Sequence, residues 1–204
     1  MSATKNIHVL QEPGSPRRIS RRELAQILLS GLAAGFVSPL AFASHPIRKH
    51  LSNGMLLDAA DAHLSAESSK PLFLSAQQLA ALDSLSEPIV PGSRQAQAAS
   101  FIDLLLSADA PEVRHKFAAS LSAFEAISQN THHAAVIALT PTQLDGLLTS
   151  LSAPNSSDHQ HFTHLKDWIA GAYYSSENGM RELGWTPDRV FATFPPCPHP
   201  EGHA

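Results

Sequence analysis

Histidine is the residue type with the greatest capacity for chemistry in this sequence, because 12 histidines occur among 204 residues. His159, His161 and His164 form an H-x-H-x-x-H run. On a helix, His161 and His164 would share one face at a spacing that can hold a metal ion. No carboxylate stands at an offset that makes it an evident third ligand, and no H-E-x-x-H motif occurs. We interpret these residues as solvated helix-surface histidines, with a metal site as the alternative.

Cys197 is the single cysteine and lies in a proline-rich tail. One thiol excludes an internal disulfide, so Cys197 is either a free thiol or half of a disulfide to another chain. The sequence also lacks G-x-S-x-G, G-x-G-x-x-G and G-x-x-x-x-G-K motifs, which hydrolases, dinucleotide-binding proteins and P-loop proteins use. We therefore predict no catalytic, cofactor-binding or metal-binding residue on this chain.

Aromatic residues gather towards the C-terminal end, where Trp168, Tyr173, Tyr174 and Trp185 occur within eighteen residues of one another. Such a group more often belongs to a core, but tryptophan and tyrosine also dominate protein interfaces. We predict that contacts to a partner protein are made by Tyr173, Tyr174, Trp185 and Cys197.

Composition limits the class of protein. With 43% hydrophobic and 16% charged residues, the chain is too apolar to be disordered and too mixed to be a multispan membrane protein. A net charge of −4 gives no support for nucleic-acid binding.

The N-terminal residues have the order of a secretory signal: basic, then apolar, then small. The apolar stretch 27–40 is interrupted by glycines and is shorter than the roughly 20 residues that a spanning helix needs. Ala41 and Ala43 form an A-x-A site, which predicts a signal peptide over residues 1–43 with cleavage before Ser44.

The basic part of this segment contains a more specific motif. Ser20, Arg21, Arg22 and Leu24 match the S-R-R-x-L pattern of twin-arginine export signals. This predicts export of a folded protein to the periplasm by the twin-arginine pathway. The alternatives are a general-pathway signal or an uncleaved anchor.

The rest of the chain predicts an all-α fold: a single irregular domain of about five or six helices. Residues 44–70 show little periodicity and are predicted to be a flexible linker. Residues 71–186 contain two capping boxes, at Ser75 and Thr140, and a proline at a first helical position, Pro111. Five prolines after residue 186 predict an irregular tail over 187–204.

Several segments together resemble the gluconate 2-dehydrogenase subunit 3 family, the small subunits of exported flavin-dependent sugar and sugar-acid dehydrogenases. The resemblance covers residues 72–203 and is carried by five segments in order: FLSAQQLAALDSLSEPIVP (73–91), ASFIDLLL (99–106), LTPTQLDGLL (139–148), HFTHLKDWIAGAYYSSENGMRELGW (161–185) and FPPCPHPEGH (194–203). The histidine-rich stretch 155–164 has no role in the family pattern.

The resemblance implies an accessory role. A large partner subunit would bind FAD and oxidise the substrate, and a cytochrome subunit with haem c would pass electrons onward. This chain would carry no cofactor, would supply the export signal and would meet the membrane only through its partners. The alternatives are a stand-alone exported metal-binding protein that uses the histidines, and an enzyme active by itself.

Overall fold

The computed structural model describes residues 20–23, 26, 46–65 and 70–184. Throughout these ranges the regular structure is helical and contains no strand, which confirms the all-α prediction. From residue 46 onward the α-helices are α1 (Arg48–Leu51), α2 (Gly54–Ser65), α3 (Ala76–Ile89), α4 (Ala98–Ser107), α5 (Pro111–His132), α6 (Pro141–Ser152), α7 (His159–Tyr174) and α8 (Glu177–Glu182), with a 3-10 turn at Val136–Ala138.

Local sequence signals fix several helix starts. Ser75 and Thr140 each accept a hydrogen bond from the backbone N–H three residues on, and the side-chain oxygen of the glutamine there accepts the backbone N–H of the cap residue, so both predicted capping boxes form. Pro111 occupies the predicted first turn of α5. Pro88 lies in the last turn of α3, which ends one residue later at Ile89.

Helix α7 lies at the centre of the core and packs against α3, α4, α5, α6 and α8. Its Trp168 is fully buried and meets the ring of Phe117, from α5, edge-on with 5.6 Å between ring centroids. Such pairs add to the stabilisation that aromatic burial already gives. The core therefore fixes the position of α7, which carries His159, His161 and His164, relative to α5.

The segment predicted as a flexible linker, 44–70, differs from that prediction over 46–65. It forms α1 and α2, and Ile47 and Leu57 are each 1% exposed. His50 Nε2 lies 3.0 Å from a carboxylate oxygen of buried Asp109, which also pairs with Lys49. These anchors come from the turn between α4 and α5, which no local pattern within the segment reveals.

Asp103 on α4 holds the residues that lead into α3. Asp103 is 1% exposed. Its carboxylate accepts hydrogen bonds from the backbone N–H groups of Leu72, Phe73 and Leu74 at 2.6, 3.0 and 2.6 Å. A buried carboxylate is tolerated when such donors replace its hydration. Asp103 therefore fastens the chain before α3 to the middle of α4.

Candidate functional site

The histidine-rich stretch is built into the contact between α5 and α7. Ser120 of α5 is 1% exposed, and its Oγ lies 3.0 Å from His164 Nδ1 and 3.2 Å from His161 Nδ1. Trp168 Nε1 donates to His164 Nε2 at 3.3 Å. The two histidines do share a helix face, as their spacing predicted, and that face meets a buried serine.

The partners of His164 decide what this cluster can do chemically. An indole N–H is only a donor, so His164 Nε2 must accept and the neutral ring carries its proton on Nδ1. His164 then donates to Ser120 Oγ and is not placed to take the serine's proton. A Ser–His nucleophile requires the opposite arrangement, so the contacts define a structural clamp between α5 and α7.

These contacts also bear on the metal alternative. Both nitrogens of His164 and Nδ1 of His161 already have hydrogen-bond partners. Within the parts of the chain that the structure describes, no group of three or more His, Cys, Asp or Glu residues is placed to hold a metal ion.

The clamp predicts a pH dependence of stability. Burial, with a smaller contribution from Lys116, lowers the pKa of His164 below its usual value. Below about pH 6.5 the unfolded chain therefore binds a proton that the folded chain resists, and stability falls as the pH drops. Because His164 is partly exposed, we expect a loss smaller than about 1.4 kcal/mol per pH unit. Urea unfolding at several pH values between 7 and 5 measures it.

Two glutamine variants separate this effect from general acid destabilisation. His164→Gln should flatten the loss of stability between pH 7 and 5, because glutamine does not titrate. His115→Gln, on the exposed face of α5, is the matched control and should leave the slope in place. Equal slopes in the wild type and in His164→Gln would contradict the prediction. Residual slope in His164→Gln is expected from His50, whose pKa is also lowered by burial.

The predicted export motif starts a helical turn. Ser20 is placed as its cap, because Ser20 Oγ accepts the N–H of Glu23 at 3.2 Å and Ser20 N donates to the Glu23 carboxylate at 3.0 Å. Residues 21–23 and 26 are helical. The reciprocal pair is a capping box, so the S-R-R-E sequence also satisfies a local structural rule.

The side chain of Arg21 extends from this turn into the folded domain. Its Nη2 donates to the backbone carbonyl of Ala96 at 2.9 Å, and its guanidinium lies 4.0 Å from the centroid of the Phe101 ring. Its backbone N–H donates to Asp61 on α2 at 3.0 Å. Arg21 is 8% exposed, and burial lowers its pKa to about 10, so it stays positive at neutral pH.

Arg22 contacts the same helix at the surface. Its Nη1 donates to Asp58 at 2.7 Å with both side chains about half exposed. We call this contact region the arginine dock; it consists of Arg21 and Arg22 against Asp58, Asp61, Ala96 and Phe101. Local sequence patterns do not reveal the arginine dock, because Asp58 and Asp61 fall in the segment predicted to be a linker.

The two predicted partner-contact tyrosines differ in accessibility. Tyr173 is 6% exposed and sits under the Gly92 turn, while Tyr174 is 36% exposed. Burial and then the Glu182 carboxylate raise the pKa of Tyr173 to about 12. Of the pair, only Tyr174 presents a ring that another protein can reach.

The remaining predicted site residues lie outside the described residues. They are Leu24 of the export motif, Ala41 and Ala43 of the cleavage site, and the predicted partner contacts Trp185 and Cys197. No helix in the described ranges is both long and apolar enough to span a membrane.

Clefts on the surface of the described residues include the following two. One, of about 540 Å³, runs between α3 and α5 and is lined by residues that include Gln78, Leu121 and Glu125. The other, of about 620 Å³, separates the arginine dock from α8, with Arg21 on one side and Asn178 and Arg181 on the other. A protein bound at α8 would therefore border the dock.

Fold and contacts define a class of protein: an all-helical domain whose buried polar groups join its helices. Within that class, the chain belongs to the gluconate 2-dehydrogenase subunit 3 family, whose family model matches residues 76–188. The match begins with the first residue of α3 and includes every helix from α3 to α8. No curated protein and no solved structure matches the chain. At the level of the family, the chain is an accessory subunit of a dehydrogenase complex.

Proposed function

We propose that this chain is the non-catalytic small subunit of an FAD-dependent sugar or sugar-acid dehydrogenase, and that it stabilises the flavoprotein subunit and is exported with it. The family match over residues 76–188 carries the proposal. The haem c of a cytochrome subunit would receive the electrons, so both redox groups would lie on other chains.

The contacts of the histidine cluster support this function over the metal-binding alternative. A stand-alone metal protein would use His161 and His164 together, but their Nδ1 atoms converge on Ser120 Oγ. The clamp instead stabilises the α5–α7 contact in a domain whose role is to bind another protein.

The export part of the proposal rests on Ser20, Arg21, Arg22 and Leu24. Twin-arginine export carries folded proteins, so a single signal on the small subunit could bring a flavin-loaded partner with it. We propose the periplasm as the destination, with the membrane reached only through partner subunits.

Purification of the tagged chain from its own periplasm tests the partner. We expect a larger protein to co-purify with it, and flavin fluorescence to be released when the complex is denatured. Deletion of this chain should leave that flavoprotein in the cytoplasm or degraded. Recovery of the chain alone, together with normal export of the flavoprotein in the deletion strain, would remove the accessory role.

Substitution of the arginine pair tests the export route. Arg21→Lys with Arg22→Lys keeps the charge but removes the planar guanidinium groups, and we expect both the chain and the flavoprotein to remain in the cytoplasm. Arg17→Lys with Arg18→Lys is the matched control and should leave export intact. Fractionation and immunoblotting give the readout, and normal export of the Arg21/Arg22 variant would refute the twin-arginine route.

A further inference from the structure

Two carboxylates on one face of α2 each contact one residue of the arginine pair. Asp58 and Asp61 are three positions apart, so they lie on one face of the helix. Arg22 pairs with the first at 2.7 Å, and the backbone N–H of Arg21 donates to the second at 3.0 Å. The two adjacent basic residues therefore each have a carboxylate of their own on one helix.

Residues of α4 and of the turn before it cover the side chain of Arg21. Ala96 supplies a carbonyl oxygen from the turn before α4, and Phe101 supplies a ring face from α4 itself. At 8% exposure, the guanidinium of Arg21 is out of reach of any other protein while these contacts last. Recognition of Arg21 by an export receptor therefore requires the arginine dock to open.

We propose that the folded domain masks its own export motif: the arginine dock holds Arg21 and Arg22 in a closed form, and the motif becomes available only when the dock opens. This inference rests on the proposed export function. It adds a step to it, because the covering surface is supplied by the same chain.

Several features make the closed form easy to open. Arg21 Nη1 is buried without a hydrogen-bond partner among the described residues, and such a group opposes burial. Burial also lowers the pKa of Arg21 by more than the attraction of Asp61 raises it. The Arg22–Asp58 pair is half exposed, and exposed ion pairs contribute little. The dock is thus a reversible contact.

Trypsin measures the opening directly, because it cleaves after Arg21 and Arg22 only when they are accessible. In the full-length precursor with Asp58→Asn and Asp61→Asn, we expect cleavage at these two bonds to be about tenfold faster, equivalent to about 1.4 kcal/mol. Cleavage follows the open population when the contact opens and closes quickly. Mass spectrometry identifies the bonds that are cut.

Matched variants keep this test specific. Asp145→Asn with Asp167→Asn removes the same charge from exposed positions on α6 and α7, outside the dock, and should leave cleavage after Arg21 and Arg22 unchanged. Gly54→Leu keeps both acids but places a side chain against Arg22, whose Nε would lie 3.2 Å from the new Cβ, and it should also speed cleavage. Unchanged cleavage in both dock variants would overturn the proposal.

Binding of the precursor to membrane vesicles containing the twin-arginine receptor tests the consequence. The Asp58/Asp61 variant should bind several-fold faster than the wild type, and the Arg21/Arg22 lysine variant should not bind. Faster cleavage without faster binding would show that the dock does not control recognition. Normal export of the lysine variant would instead refute the proposed export route, so the two failures are distinguishable.

Discussion

Asp103→Ala is expected to lower the free energy of unfolding by about 3–5 kcal/mol, because three backbone N–H groups lose a charged acceptor at once. The groups belong to Leu72, Phe73 and Leu74, and Leu74 is itself 4% exposed. In a domain of this size the melting temperature should fall by about 10 °C. Thermal and urea unfolding followed by circular dichroism measure the change.

Two further variants show whether the loss comes from these hydrogen bonds. Asp103→Asn keeps the shape and one acceptor oxygen, so its loss should be intermediate. Asp145→Ala removes an exposed carboxylate from α6 and should change stability by less than about 0.5 kcal/mol. If Asp103→Ala were no more harmful than Asp145→Ala, the proposed fastening of residues 72–74 would be wrong.

Gly179→Ala is expected to destabilise the protein through backbone overlap. A Cβ at this position would lie 2.8 Å from the Tyr173 carbonyl carbon and the Tyr174 Cα, and neither can rotate away. Helix α8 must then shift from the end of α7, at a loss of about 1–3 kcal/mol. Urea unfolding measures the loss, and hydrogen exchange should show increased opening of α8.

Gly146→Ala is the matched control for this prediction. Gly146 is also helical, on α6, but a Cβ there meets no atom within 4 Å. Alanine at an open helical site should stabilise the protein by about 0.5–1 kcal/mol. Opposite signs for the two substitutions are therefore expected, and equal effects would contradict the close approach at Gly179.

The sequence predicted the features of the fold that depend on neighbouring residues. Ser75 and Thr140 form their capping boxes, and Pro111 begins α5. Each of these signals acts within one helical turn, so the sequence alone reveals it. The family was also predictable, because its characteristic segments occur in order along the chain. The match of the family model to residues 76–188 confirms it.

Features that depend on distant residues were not predictable from local patterns. Helix α2 has a weak apolar face, and its burial relies on contacts to α4. In the sequence Asp103 is an ordinary polar residue, because the backbone groups that it binds, in residues 72–74, are 29 to 31 positions away. Periodicity carries no signal for such a contact, because it involves a single side chain.

The candidate site likewise has features that local patterns predict and features that depend on distant residues. Spacing placed His161 and His164 on one helix face, but the serine that joins them is 41 and 44 residues earlier. Clustering of aromatic residues suggested an interface, but a count of tyrosines does not separate buried Tyr173 from accessible Tyr174. Tertiary packing decides which of two adjacent residues faces outward.

The sequence distance across the arginine dock imposes an order of events during synthesis. Arg21 and its acceptor Ala96 are 75 residues apart. At about 5–20 residues per second, the ribosome needs roughly 4–15 s to make the intervening chain. During those seconds the arginines exist without the surface that covers them. Nascent chains are thus available to cytoplasmic factors first, and they lose that availability only when α4 has emerged and folded.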